Sequence, residues 1–286
     1  MKTVLDTLEA GAGYLASRGV EVARLNMEQM LAHLLGCRRL DLYLDFDRPL
    51  DEGVLGPLRE LVKRRGAGEP LQHLLGTVDF YGREFLCDGR ALIPRPETEE
   101  LVGLLVGLLG GEPPEAVVDV GCGSGVIGLS LAAEWAGAAV WLVDRSAGAL
   151  GLARENAARL GLVGEGLAGR VEFFCGDLLA PVAGRRAGLI VANLPYIPAG
   201  ELAGLDREVR HDPVMALDGG EDGLELVRRL VAEVGEVLGC GGTLALEIGA
   251  GQGRDVASLC EAAGLVGVEV VVDLSGEGRF VVGRAI

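Results

Sequence analysis

Basic residues are scarce in this chain. Lysine and arginine together number 26 against 42 acids, a formal charge of −16. That balance disfavours an extended phosphate backbone as the main binding partner and points to a protein or a small molecule. Paired cysteines are missing too: Cys37, Cys87, Cys122, Cys175, Cys240 and Cys260 show no C-x-x-C spacing. They read as reduced core residues, neither bridges nor metal ligands, and no other metal set is evident. No window is apolar enough to span a bilayer, and the opening M-K-T-V-L-D-T-L-E-A carries acids where a secretion signal needs an apolar run. The expectation is a cytoplasmic protein without membrane attachment. Low-complexity sequence is also lacking, because the 46 glycines are spread along the chain. What remains, 286 residues of which 49% are hydrophobic, is enough for two cored domains.

The first 75 residues carry helical periodicity. Val4, Leu5 and Leu8 begin it, Val22, Leu25, Met30, Leu31, Leu34 and Leu35 continue it, and Gly36 is a stop. Asp51 is placed to cap a third helix through Leu55, Leu58 and Leu61. His33 and His73, among leucines, read as packing or surface residues. Residues 76–96 change period, with Val78, Phe80, Phe85 and Leu92 set among Gly82, Asp88 and Gly89, as in a hairpin-like linker. It ends in I-P-R-P-E-T-E-E-L-V, where Glu97 or Thr98 can start a helix and the stiff prolines can wall a pocket.

Residues 97–286 read as an α/β domain. Strands are expected at 116–120, 140–144, 171–175, 188–192 and 243–248 with helices between them, the pattern of a doubly wound sheet. Two further β-rich runs, 266–272 and 280–282, are joined too closely for a parallel crossover, so the last strand should enter antiparallel. The first strand leads into V-V-D-V-G-C-G-S-G. Gly121, Gly123 and Gly125, with Cys122 and Ser124 between them, let a ligand lie against backbone at a helix N-terminus. Val126 breaks the dinucleotide spacing G-x-G-x-x-G. Asp144 closes the next strand, where a carboxylate can accept two ribose hydroxyls. Asp177, after the third strand, can accept an adenine amino group with Leu178 packing on the ring. The fourth strand delivers Asn193 to the loop Leu194-Pro195-Tyr196. There the Asn193 side-chain carbonyl and the Leu194 backbone carbonyl can accept the two N–H bonds of a flat NH2 group, with Pro195 setting the backbone and Tyr196 offering a face. His211 and the glycine run E-I-G-A-G-Q-G read as turns.

These motifs occur in order along nearly the whole chain: E-P-L-Q-H-L-L-G, L-I-P-R-P-E-T-E-E-L-V, D-V-G-C-G-S-G, N-L-P-Y-I-P and V-R-H-D-P-V-M-A-L-D-G-G-E-D-G-L. Together they resemble the bacterial release-factor glutamine methyltransferases. The resemblance implies a class I S-adenosylmethionine-dependent methyltransferase, with a Rossmann-like, mostly parallel seven-stranded sheet, an antiparallel terminal strand and a small N-terminal helical domain that recognises substrate. It implies S-adenosylmethionine held by Gly121 to Gly125, Asp144, Asp177, Leu178 and Asn193, and methyl transfer to the side-chain amide nitrogen of the glutamine in the Gly-Gly-Gln loop of class 1 peptide chain release factors. Asn193 to Tyr196 would hold that amide. A monomer without direct nucleic-acid binding is expected. One departure stands out: the family usually has N-P-P-Y, and Leu194 replaces the first proline. N-L-P-Y also resembles ribosomal RNA adenine dimethyltransferases, so adenine-N6 methylation of RNA or DNA is the alternative; an acidic chain with the P-R-P-E-T-E segment favours glutamine.

Overall fold

The computed structural model describes residues 2–164 and 169–286. They divide into two compact units, the residues up to Thr77 with Asp206–His211, and Val78–Leu205 with Asp212–Ile286.

The first unit is a helical bundle of α1 (Val4–Ser17), α2 (Ala23–Leu35), α3 (Glu52–Gly66) and the short α4 (Leu71–Leu75). The Thr3 hydroxyl caps α1 by accepting Asp6 N–H while the Asp6 carboxylate accepts Thr3 N–H in return, Gly36 ends α2 at φ 62°, and Asp51 accepts the Val54 N–H to start α3. Leu8, Leu15, Met27, Met30, Leu31, Leu55 and Leu58 fill its core. Val22 and Leu25, expected in the apolar stripe, are exposed, because Val22 turns the chain into α2 in a left-handed conformation. The buried Arg65 anchors the segment 206–211 through Glu208 Oε1 at 2.5 Å, and also donates to Asn26 Oδ1 at 2.6 Å.

Strands β1 (Thr77–Phe80) and β2 (Arg83–Leu86) form the hairpin expected in the linker. Helix α5 (Pro96–Leu109) starts at Pro96, one or two residues before the expected start; proline fits the first helical position, where its missing N–H is no loss. Then come β3 (Ala116–Val120), α6 (Val126–Glu134), β4 (Ala139–Asp144), α7 (Ala147–Arg159), β5 (Val171–Cys175) and β6 (Ala187–Asn193). Beyond a series of short 3-10 segments follow α8 (Glu225–Val237), β7 (Leu238–Glu247), α9 (Gly253–Ala262), β8 (Val266–Val272) and β9 (Gly278–Arg284).

The sheet order is β5-β4-β3-β6-β7-β9-β8, parallel except where β9 inserts antiparallel between β7 and β8. The α/β, mostly parallel seven-stranded fold with an antiparallel terminal strand is thus what the molecule has. Alternate residues of each central strand serve opposite faces. Val117, Val140, Leu189 and Ala245 pack under α5, α6 and α7, while Val118, Val143, Ile190 and Leu244 pack under α8 and α9. Coverage on both faces is why these strands are continuous apolar runs. Among the cysteines, all six free, Cys175 and Cys240 are exposed and so depart from the core placement expected of them; both stand in strands but face away from the packed layers.

Candidate active site

Parallel register builds one row of functional groups at the carboxyl end of the sheet. Val143, Val120, Ala192 and Leu246 pair across β4, β3, β6 and β7, so the next residues along are Asp144, Gly121, Asn193 and Glu247. Between β3 and β6 the winding of the sheet reverses, the place where open α/β sheets bind ligands. A cavity opens there, bounded by the glycine loop, Asp144, Asp177 and Asn193.

Its floor is the glycine loop. Gly121 and Cys122 both donate to Val143 O, at 2.8 and 3.0 Å, and Gly125 closes a turn onto Cys122 O at 2.8 Å before α6 begins. Gly125 has φ +83°, and a Cβ on it would lie 2.9 Å from Leu129 Cδ1, so glycine is required both by conformation and by space. Asp144 is clamped from two sides, its Oδ2 accepting Gly123 N–H at 2.9 Å and its Oδ1 accepting Ser146 N–H at 2.8 Å. Both oxygens keep lone pairs for further donors. Ser124 is buried and its carbonyl accepts from Asn156 Nδ2 at 3.0 Å. The Cys122 thiol is pushed well above its ordinary value by burial, which removes it as a nucleophile. Beneath the loop, burial raises the Asp119 carboxyl to about 7, although it accepts Gly128 N–H at 2.8 Å.

The residues expected to hold a ligand largely meet here. Gly121 to Ser124, Asp144, Asp177, Leu178, Asn193, Leu194 and Pro195 all line the cavity. Asp177 does so while ion-paired to Arg229, and Leu178 adopts φ 44°, which turns its buried side chain back toward the sheet. Tyr196 is not in the wall. Its ring packs near Gly249, burial raises its hydroxyl pKa, and its carbonyl accepts from Gln252 Nε2 at 3.1 Å. The E-I-G-A-G-Q-G turn is therefore the brace of this loop. Leu194 is buried, with Cδ2 2.9 Å from where a Gly121 Cβ would stand. The leucine that replaces proline thus joins the Asn193 loop to the glycine loop by packing.

Three groups escaped the sequence reading. Thr98, read there only as a helix start, accepts from Asn193 Nδ2 at 3.0 Å through Oγ1. Glu247, 2% exposed, pairs with Asn193 across the sheet. Asp212, also buried, accepts from Ile93 N–H at 3.1 Å and Arg95 Nη2 at 2.6 Å, and so fixes the proline-rich segment that walls the cavity through Pro94 and Arg95. For Glu247 the only signal in the sequence is an acid closing the apolar run L-A-L-E, and Asp212 stands in R-H-D-P, which reads as a turn.

Comparison with known proteins bears on this geometry. Residues 6–76 match the model described as the PrmC N-terminal domain, and residues 102–205 match the methyltransferase small domain. The release factor glutamine methyltransferase of Geobacter sulfurreducens is 41% identical over 283 residues, covering 99% of this chain and 96% of that one. The chain belongs to the release factor glutamine methyltransferase family. The family member from Deinococcus radiodurans is 40% identical over 98% of this chain and 97% of its own length. Among solved structures, a T. thermophilus 16S rRNA methyltransferase in complex with AdoMet and guanosine aligns with TM-score 0.53 at 17% identity, over 73% of this chain and 50% of that one. A ribosomal protein methylase from Lactobacillus delbrueckii subsp. bulgaricus aligns with TM-score 0.50 at 20% identity, over 67% of this chain and 81% of that one. Both share the fold.

Proposed function

We propose that this chain transfers the methyl group of S-adenosylmethionine to the side-chain amide nitrogen of the glutamine in the Gly-Gly-Gln loop of class 1 release factors. The observation that carries this is the carboxamide of Asn193 in the cavity wall beside the glycine loop, in a chain of this family. The cavity suits the cofactor: backbone of Gly121 to Ser124 ahead of α6, with Gly125 outside the lining and serving as the turn into the helix, a carboxylate at Asp144 for ribose hydroxyls, Asp177 for an adenine amino group, and apolar walls from Val143 and Leu178. When bound, the cofactor supplies a methyl on a sulfonium, a group with an excellent leaving partner.

The protein's task is to make a poor nucleophile reactive. An amide nitrogen shares its lone pair with the carbonyl, and acceptors on both N–H bonds localise that pair and aim it out of plane. Asn193 Oδ1 and the Leu194 carbonyl are those acceptors, and Pro195 holds the turn between them and Tyr196. Fixed dipoles in a water-poor site do the rest, with no strong base required before attack. The helical unit recognises the release factor away from the glutamine loop, with residues 1–75 as recognition domain, 76–96 as linker and 97–286 as catalytic domain. The enzyme acts as a monomer in the cytoplasm. Among the described residues no helix is long and apolar enough to cross a membrane.

Incubating the protein with labelled cofactor and a release factor should label the factor, and a glutamine-to-glutamate change in the factor's loop should abolish the label. Label that persists on the changed factor, or that appears on ribosomal RNA instead, overturns the reading.

A further inference from the structure

Asn193 is useful to an incoming amide only in one of its two orientations. With its carbonyl oxygen toward the cavity it accepts; flipped by half a turn it presents an amino group to an amino group. Something in the protein must decide between them. Asn193 Nδ2 already donates to Thr98 Oγ1 at 3.0 Å. On the neighbouring strand, at the paired position, stands Glu247, 2% exposed. Thr98 and Asn193 both favour the charged form of its carboxylate, and its Oε2 is buried without a hydrogen-bond partner.

The direction of these contacts follows from their chemistry. A hydroxyl has a single proton; Thr98 Oγ1 accepts from Asn193 Nδ2, which leaves that proton for the Glu247 carboxylate. An ionised carboxylate can only accept. Both atoms facing the Asn193 side chain from the protein side are therefore acceptors, and only its amino group satisfies them. We propose that Glu247 and Thr98 are positioning residues which hold the Asn193 carboxamide with its amino group toward the protein and its carbonyl oxygen toward the cavity.

The proposal rests on the methyl-transfer reading for its use, but the orientation itself is a property of the free protein. It also explains why an acid is kept in a place where burial is costly. An isosteric glutamine would avoid that cost but would offer a donor as well as an acceptor, and so leave the asparagine free to flip. The charged and titratable groups that face Glu247 are Glu97 on α5, Arg279 on β9 and the neutral Tyr196 hydroxyl. Arg279 is itself held by Asp273 at 3.2 Å and by Ile248 O at 3.1 Å. Burial and Glu97 push the carboxyl up to about 7, with Thr98, Arg279 and Asn193 pulling the other way. Protonation would give the carboxyl a donor and relax the selection, so the fixed orientation belongs to the higher-pH form.

The chain has three asparagines, Asn26, Asn156 and Asn193. Selective 15N labelling of asparagine therefore gives three side-chain NH2 pairs, assignable by substitution. In the wild-type protein the Asn193 pair should titrate across neutral pH, and in Glu247→Gln that titration should vanish. With a release factor as substrate, Glu247→Gln should lower kcat about tenfold or more, leave KM and cofactor affinity within about twofold, and remove the fall in rate on the acid side. Thr98→Val should lower kcat in the same way, with Thr98→Ser restoring it. An Asn193 pair insensitive both to pH and to Glu247→Gln would overturn the proposal, as would a Glu247→Gln enzyme with wild-type kcat and pH profile. If the Asn193 pair behaves as expected while the wild-type protein labels no release factor, the methyl-transfer reading fails and the positioning role stands.

Discussion

Replacing Gly121 by alanine tests the packing of the two loops. The residue has φ +70°, and an added Cβ would lie 2.9 Å from Leu194 Cδ2. The left-handed conformation costs a residue with a Cβ about 1–2 kcal/mol. Forcing a buried leucine aside adds about 1–3 kcal/mol. Gly121→Ala should therefore destabilise by about 2–5 kcal/mol. Leu194→Ala alone removes a side chain that is 4% exposed, at about 2–5 kcal/mol. In the double variant the clash is gone, so only the backbone penalty of the Gly121 substitution adds to the cost of truncating Leu194. It should be more stable than the sum of the singles by about 1–3 kcal/mol. Urea unfolding followed by tryptophan fluorescence is the assay, because the chain's two tryptophans, Trp135 and Trp141, are both buried against the large sheet. Strict additivity, within about 0.5 kcal/mol, would refute the contact between the loops.

Other consequences are open to measurement. Asn193→Ala should reduce the rate of glutamine methylation by about a hundredfold or more, read by single-turnover kinetics at saturating cofactor. Asp144→Asn should weaken cofactor binding by about ten- to a hundredfold in calorimetry, since the amide brings a donor where Gly123 N–H and Ser146 N–H already point. Asp119 and Glu247 both have carboxyls raised to about 7 in the folded chain. An unfolded carboxyl titrates near 4, so the folded form holds more protons in between. The stabilising effect is complete below about pH 4 and is lost as pH rises through about 7. Melting temperature should accordingly drop between weakly acid and weakly alkaline buffer, and Glu247→Gln should flatten that drop.

The sheet was easy to foresee and its supporting groups were not, for one physical reason. A strand covered on both faces is mostly apolar, so 116–120 stands out from its neighbours and matches β3 end for end; the edge strand β5 also matches 171–175, although it carries Glu172 and only Val171 is buried. Strand β7 was foreseen only from Thr243, whereas it begins at Leu238. The run Leu238-Gly239-Cys240-Gly241-Gly242 looks like a turn in isolation, and pairing with β6 and β9 extends it. The glycine loop, Asp144 and Asn193 were legible because the chemistry of a strand end depends on local residue type. Thr98 and Glu247 act through partners 95 and 54 residues away, and nothing periodic marks such a meeting. Leu194 was legible as a departure in backbone freedom, but its packing on Gly121 depends on register between β3 and β6 and so appeared only in three dimensions. The same holds for Asp206–His211, which join the helical unit through Arg65 and Glu208.

The strand that carries Asn193 is fourth of seven, hydrogen-bonded along both edges. Backbone amides in such a place trade with deuterated solvent only when the entire sheet opens, so β6 should be among the last segments to exchange. A reacting group mounted there has almost no slack of its own. Any adjustment of this site must therefore enter from the periphery, through the turns that approach Asn193 and the side chains that brace it, while the strand beneath stays a fixed bench.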